Sequence, residues 1–189
     1  MADRHAKLLD AAIETLGTKG LRGLTHRAVD EAARLPEGST SNYFRSRDAL
    51  LDGIVERFAQ REHAAFEAVA MSDLPLTPED LGRTLARFAI ESTRDNRHVT
   101  LARYSLLVEG ALRPALRRTL AETGATVNAW ALQWLRVVKS PDPERDRDVL
   151  ANYVTGLVLH ELAHPSEDFN PAQRITGLIR VLGAAPCPS

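Results

Sequence analysis

The chain has 189 residues, of which 44% are hydrophobic and 26% charged, and its formal net charge is −1. These values are typical of an ordinary soluble protein, and no stretch approaches the roughly 18 apolar residues of a membrane span. A single cysteine excludes a disulfide within the chain, and the near-zero net charge means that any nucleic-acid binding depends on a local basic patch. The sequence does not begin with the charged residues and following apolar stretch of a signal peptide. We therefore expect a cytoplasmic protein with no membrane partner.

The composition favours helices. Aromatic residues make up only 5% of the chain while Ala, Leu and Arg abound, and no long run alternates strictly between apolar and polar residues. We therefore predict an all-α fold of about nine helices. The first is predicted over residues 4–19, where Leu8, Ala12 and Leu16 lie on one stripe, and Gly20 is predicted to end it in a left-handed conformation.

Residues 24–51 have the pattern of a helix-turn-helix: a helix, a tight turn, a short second helix and the start of a third. Thr25 is predicted to be an N-cap, because its hydroxyl can accept a hydrogen bond from an unpaired backbone N–H of the next helix. Pro36 disfavours the helical conformation at Leu35, and Gly38 leaves the backbone free to approach a phosphate. The motif therefore makes DNA the first partner to consider.

The short helix of the motif, residues 39–43, reads Ser-Thr-Ser-Asn-Tyr. Short polar side chains compete with the backbone for hydrogen bonds and add no apolar burial, so helix stability does not explain them. Such side chains can donate to phosphates and reach base edges in the major groove, whereas a solvated polar loop is the alternative. Phe44, as a packing anchor, and the neighbouring Arg45 and Arg47 favour DNA recognition.

This segment resembles the DNA-binding domain of the TetR family of transcriptional regulators. The resemblance rests on a glycine before the polar helix and, after that helix, an aromatic pair, a basic-acidic pair and two leucines. These residues are Gly38, Tyr43, Phe44, Arg47, Asp48, Leu50 and Leu51. The family usually has glycine where Arg34 stands and often a basic residue where Glu37 stands. Motif and resemblance together predict contacts to double-stranded DNA from Thr25, Arg27, Gly38, Ser39, Thr40, Ser41, Asn42, Tyr43, Arg45 and Arg47.

Proline placement predicts the later helices. Thr77, Asp142 and Asn170 each precede a proline, the combination expected of an N-cap followed by the first helical residue. A connecting helix is predicted over residues 46–70, and the others at about residues 78–95, 97–110, 114–139, 143–164 and 171–184. We predict two domains: a three-helix DNA-binding domain over residues 1–50, and a helical ligand-binding and dimerisation domain over residues 51–189.

Aromatic side chains suggest where a small molecule enters. Trp130 and Trp134 are adjacent on the apolar stripe of one predicted helix, although such side chains are more often core than ligand contacts. We predict an effector site between the helices from about 78 to 164, with Phe88, Tyr104, Trp130 and Trp134 as candidate walls. No cofactor is predicted.

The last two helices suggest self-association. The helix predicted over residues 143–164 is apolar on two sides, so it needs more than its own domain to cover it. The resemblance implies a homodimer through these helices, with a two-fold interface at Tyr153, Leu157, His160, Ile175, Leu178, Ile179 and Leu182. The function expected is a ligand-responsive repressor, not an enzyme, that binds a palindromic operator as a homodimer and is released by a small-molecule effector.

A competing motif lies near the C-terminus. His160-Glu161-Leu162-Ala163-His164 matches HExxH, in which two histidines bind zinc and the glutamate acts as general base, so a zinc-dependent hydrolase is the alternative function. The positions of a third ligand argue against it, because Glu167 and Asn170 stand where glycine and histidine are expected. We therefore predict no catalytic residue and no metal. The histidines are either packing residues or, in a third interpretation, part of a metal- or pH-sensing site of the regulator.

Overall fold

The computed structural model describes residues 2–72 and 75–184, and within them the side chains of residues 2, 3, 66, 69–72, 126, 127, 130 and 184 lie outside the description. The described residues form helices and no strand, which confirms the all-α prediction. In chain order the helices are α1 (Ala2–Gly23), α2 (His26–Ala33), α3 (Ser39–Tyr43), α4 (Arg47–Ser72), α5 (Pro78–Thr93), α6 (Arg97–Leu112), α7 (Pro114–Val137), α8 (Pro143–Ala163) and α9 (Ala172–Ala184).

The N-caps predicted at Thr25, Thr77 and Asp142 are confirmed by their capping bonds, whereas α9 begins at Ala172, one residue after its predicted start at Pro171. The Thr25 hydroxyl accepts the Ala28 N–H at 3.1 Å, and Thr77 forms a reciprocal capping box with Asp80 at the start of α5. Asp142 accepts from the third residue of α8 in the same way. These bonds satisfy backbone donors that have no partner inside the helix, so short local signals were enough to place the boundaries.

Gly20 has the predicted left-handed sign of φ, at +67°, and its backbone is non-helical, so the first helical stretch of α1 ends there. A second, short helical stretch follows the kink and continues to Gly23. The predicted end of the first helix near residue 19 is therefore confirmed, and what the sequence did not predict is the extra helical turn after the kink.

One compact unit consists of residues 1–64 and 97–126. Its core is built around α1, whose Leu8, Leu9, Ile13 and Leu16 are at most 2% exposed and pack with α4 and α6. Burying each such side chain contributes about 1.5–3 kcal/mol. The first helix therefore supplies the core of this unit, while a domain boundary at residue 50 remains a prediction.

A glycine lies at the crossing of α1 and α6. A Cβ atom on Gly17 would overlap the carbonyl oxygen of His98, so the two backbones are in contact. Only glycine permits this distance between the helix axes. The sequence contains no signal for this contact, because an isolated glycine in a helical pattern does not name its neighbour.

The second compact unit consists of residues 65–96 and 127–189, in which α5, α8 and α9 pack together. A Cβ atom on Gly82 would meet the Thr176 side chain, so α5 and α9 also pack closely. Arg180 Nε pairs with the Glu79 carboxylate at 3.0 Å on the outside of the same two helices. None of the described helices is both long and apolar enough to cross a membrane.

Candidate nucleic-acid interface

Asp30 holds the turn between α2 and α3. Its carboxylate is 3% exposed, and its Oδ2 accepts the Gly38 N–H at 2.8 Å. Its Oδ1 accepts both the backbone N–H of Thr40, at 2.7 Å, and the Thr40 hydroxyl, at 2.5 Å. One buried carboxylate thus satisfies three donors at the start of a five-residue helix, which is too short to be stable alone.

Ser39 and Thr40 require a correction to the predicted contact set. Thr40 is 0% exposed and Ser39 is 9% exposed, with its hydroxyl donating to the Pro36 carbonyl at 2.6 Å. In this conformation these two side chains face the protein and position α3. Sequence reasoning missed Asp30 because it is ten residues away from Thr40 and looks like an ordinary acidic residue of an exposed helix.

The rest of the polar helix is exposed as predicted for a reading surface. Ser41 and Asn42 are exposed, and the Tyr43 side chain is 41% exposed. Arg45, just after α3, and Arg27, in the first turn of α2, are exposed and have no hydrogen-bond or ion-pair partner within the described residues. Free guanidinium groups beside exposed donors and acceptors match what phosphate and base recognition require.

Arg47 also differs from its predicted role. Its guanidinium donates through Nη1 to the carbonyl of Leu24 at 2.7 Å and through Nη2 to the carbonyl of Leu21. Both acceptors lie after the kink of α1, where helix-terminal carbonyls need partners. Arg47 therefore closes the end of α1 onto the start of α4, and this use of the guanidinium argues against a phosphate contact.

The turn contains two left-handed residues. Gly38 has φ +90°, which glycine adopts without strain because it has no Cβ atom, whereas Arg34 has φ +53° and ends α2. The position where the resembling family usually has glycine is thus left-handed here as well, and a side chain occupies it at a cost of roughly 1–2 kcal/mol. Because the Gly38 N–H is bonded to Asp30, it is not available to a phosphate, and a close approach of the Gly38 backbone to DNA stays a prediction.

His5, which the sequence analysis did not select, lies against the end of α3, the helix that is expected to enter the major groove and is called the reading helix below. Its ring centroid is 5.6 Å from that of Tyr43, in an edge-on arrangement, and 5.2 Å from that of Phe44. Aromatic pairs at such distances contribute about 0.5–1.5 kcal/mol beyond area burial. His5 therefore limits the orientations open to the exposed Tyr43 ring.

The candidate walls of the effector site differ in their surroundings. Phe88 is 49% exposed and Trp134 only 6% exposed, both in the second compact unit. Tyr104 lies in the first unit, where burial raises the pKa of its phenol, and the Trp130 side chain lies outside the described residues. The exposure of these residues does not show whether they line a common pocket. The effector site therefore stays a prediction.

A shallow cleft of about 570 Å³ does occur within the first unit. Charged side chains form half of its wall, among them Asp10, which accepts from Arg57 Nε and Nη2 at 2.9 and 2.8 Å. These hydrogen bonds raise the pKa of Arg57 above its ordinary value. The paired charges stabilise α1 against α4, and the cleft shares no residue with the predicted effector walls.

The predicted dimer residues divide into two groups. Ile175 and Ile179 are 0% and 5% exposed, which means that they belong to the core of their own unit and not to a surface; this corrects the prediction. The others are half-buried or exposed: Tyr153, Leu157, His160, Leu178 and Leu182. Exposure places this second group at the surface, and its role in a dimer stays a prediction.

The HExxH segment lies at the end of α8. Glu161 is not free to act as a base, because its carboxylate accepts the Ser166 N–H at 2.9 Å. No group of three or more possible metal-ligating side chains was found within the described residues. A catalytic zinc requires three protein ligands and an open position, so the hydrolase alternative receives no support from this segment.

A short helix that exposes polar and basic side chains, held on a preceding helix by a tight turn, defines a helix-turn-helix DNA-binding regulator. Two family models match the chain: "Bacterial regulatory proteins, tetR family" over residues 8–54, and "Tetracyclin repressor-like, C-terminal domain" over residues 76–185. The second alone spans more than half of the chain. The chain belongs to the TetR family of transcriptional regulators.

Individual relatives agree with this assignment. An uncharacterised helix-turn-helix-type transcriptional regulator in the dhlA 5′ region of Xanthobacter autotrophicus is 40% identical over 55 residues, which are 29% of this chain and 27% of that protein. The match therefore spans about a quarter of the relative. The multidrug binding protein EbrR, in complex with ethidium, is 27% identical with a TM-score of 0.71, covering 98% and 99% of the two chains. A TetR-family member from Streptomyces coelicolor A3 is 26% identical over the same shares, with a TM-score of 0.68.

Proposed function

We propose that this TetR-family regulator is a repressor that binds a palindromic operator as a homodimer and leaves it when a small-molecule effector binds. The observation that carries the proposal is the division of α3 and its flanks into buried side chains that position the helix and exposed ones that face outward. Such a division is what a reading helix needs, since rigid positioning and base contact require different residues. The site of action is the cytoplasm, where the DNA is.

The DNA contacts follow from that division. Exposed side chains form the proposed surface: Thr25, Arg27, Ser41, Asn42, Tyr43 and Arg45. Arg27 and Arg45 bind phosphates, because each carries a full charge without a protein partner, while Asn42 and Tyr43 face the major groove. Asp30 and Arg47 act indirectly by holding the motif.

The homodimer forms through α8 and α9. Leu159 on α8 is 49% exposed and Val181 on α9 is 68% exposed, and Tyr153 and Leu178 on the same two helices are half-buried. Large apolar side chains left in water on neighbouring helices gain free energy when a second copy covers them. A two-fold axis through this surface relates the two reading helices, so the operator is palindromic.

The effector is a small molecule that favours a dimer conformation whose two reading helices no longer match successive major grooves. Solved EbrR complexes contain ethidium, proflavin and imidazole, at 26–27% identity to this chain. Two of these molecules are planar aromatic cations. We propose planar aromatic cations as the first class to test, by calorimetry without DNA, because ethidium and proflavin also intercalate.

Fluorescence anisotropy on DNA from upstream of the protein's own gene tests the function. We expect sequence-selective binding whose affinity falls steeply with salt, since phosphate contacts release counterions. A zinc chelator should leave this affinity unchanged. A scrambled duplex of the same composition is the control. Equal affinity for both duplexes at every salt concentration would contradict the proposal.

A further inference from the structure

Two histidines at the end of α8 have no role in DNA recognition. His160 and His164 are one helical turn apart, and the His164 N–H donates to the His160 carbonyl at 2.8 Å. This bond keeps the two residues on one side of the helix although His164 is already the C-cap. Both side chains are exposed, and their ring centroids are 5.0 Å apart with an interplanar angle of 46°.

That separation matches a chelating pair. A metal–nitrogen bond of about 2.0–2.1 Å places an imidazole centroid about 3.2 Å from the metal, so two cis ligands at roughly 90–109° have centroids about 4.5–5.2 Å apart. The observed 5.0 Å lies within this interval. Neither ring has a hydrogen bond or ion pair within the described residues, so a metal does not have to displace an existing partner.

The residue between them does not join the site. The Glu161 carboxylate accepts from both the backbone N–H and the hydroxyl of Ser166, at 2.9 and 3.4 Å, and so caps the chain that follows α8. A site with two imidazoles and otherwise water suits metals that bind nitrogen ligands strongly, in the order Cu²⁺ over Ni²⁺ and Zn²⁺.

We propose that His160 and His164 form a two-histidine site that binds one divalent transition metal per chain, with Cu²⁺ bound most tightly and water in the remaining positions. The metal links the last turn of α8 to the residue that ends it. Binding therefore stabilises the end of α8, because only the folded helix holds both rings at chelating distance. The proposal does not depend on the operator or the effector.

Calorimetric titration of the untagged full-length protein with Cu²⁺, Ni²⁺ and Zn²⁺ tests the site. We expect one Cu²⁺ per chain, weaker binding of the other two metals, and an electron paramagnetic resonance spectrum with coupling to imidazole nitrogen. His160→Ala and His164→Ala should each weaken Cu²⁺ binding by at least about tenfold, because a chelate becomes a single ligand.

Two controls make the outcome decisive. Glu161→Gln, in the same turn, should retain Cu²⁺ affinity, since this carboxylate is not a ligand. His63→Ala removes a histidine from α4 and should also leave the affinity unchanged. Undiminished stoichiometric Cu²⁺ binding in a folded His160→Ala/His164→Ala double variant would overturn the proposal, as would the absence of stoichiometric binding in the unaltered protein.

Discussion

The turn between α2 and α3 and the surface of α8 and α9 are built in opposite ways. At the turn, Asp30 is almost fully buried, and its carboxylate accepts three hydrogen bonds from Gly38 and Thr40. On α8 and α9, Leu159 and Val181 are 49% and 68% exposed. One region buries a charged group, and the other exposes apolar ones.

Under the proposed function, the difference reflects what each region binds: DNA at the turn, and a second copy of the chain at α8 and α9. A five-residue helix buries little apolar area, so hydrogen bonds to a buried carboxylate must fix it before it meets DNA. A longer helix is already held by its core, and its outer face is free to carry apolar side chains for a partner. Substitutions that exchange these properties should break the two functions separately.

The largest effect is expected from Asp30→Ala. The change leaves the N–H groups of Gly38 and Thr40 and one hydroxyl without their acceptor, which should destabilise the first unit by about 3–5 kcal/mol. Operator affinity should fall at least about a hundredfold, measured by anisotropy under conditions where circular dichroism still shows folded protein. Glu31→Ala, at the exposed neighbour on α2, is the control. An equal loss of operator affinity in that variant would show that the hydrogen bonds of Asp30 are not what positions α3.

On the second region, Leu159→Arg should dissociate the dimer. Placing a charge in an apolar interface costs about 2 kcal/mol or more, which corresponds to at least about a thirtyfold rise in the dimer dissociation constant. Light scattering after size-exclusion chromatography measures it. Leu112→Arg, at a leucine that is 75% exposed at the end of α6, should leave the dimer intact. An unchanged dimer in the Leu159 variant would move the interface elsewhere.

A smaller effect is expected from His5→Ala. Without the ring beside it, Tyr43 gains orientations, and operator affinity should fall by roughly threefold to tenfold, in line with about 0.5–1.5 kcal/mol for an aromatic pair. His5→Phe keeps a ring at this position and should restore most of the affinity. If His5→Ala lowers binding to operator and scrambled DNA by the same factor, the positioning of Tyr43 is not the cause.

The smallest effect, with the opposite sign, is expected from Arg34→Gly. Glycine removes the cost of a side chain at φ +53° but adds chain entropy to the unfolded state, so a net stabilisation of about 0.5–1 kcal/mol should remain. Urea denaturation monitored by circular dichroism measures it. Arg34→Ala keeps the left-handed strain, and a gain of the same size in that variant would show that the arginine side chain, not the backbone, causes the cost.

Local signals carried the sequence predictions furthest. Thr25, Thr77 and Asp142 cap the helices they were expected to cap, because a capping bond spans only three residues and needs no knowledge of the fold. The sequence did not reveal hydrogen bonds whose partner lies far away along the chain. Thr40 and Arg47 look like DNA contacts in the sequence, yet Asp30 and the carbonyls of α1 engage them.

By itself, the sequence determined the helical class, most helix boundaries, the helix-turn-helix and the family, since composition, caps, prolines and motif spacing are all properties of neighbouring residues. Only the tertiary structure decided which polar side chains face inward, that Gly17 brings α1 against α6, and that Ile175 and Ile179 belong to the core. The physical reason is that burial and the distance between helices depend on how the helices pack. The local sequence does not show which face of a helix another helix will cover.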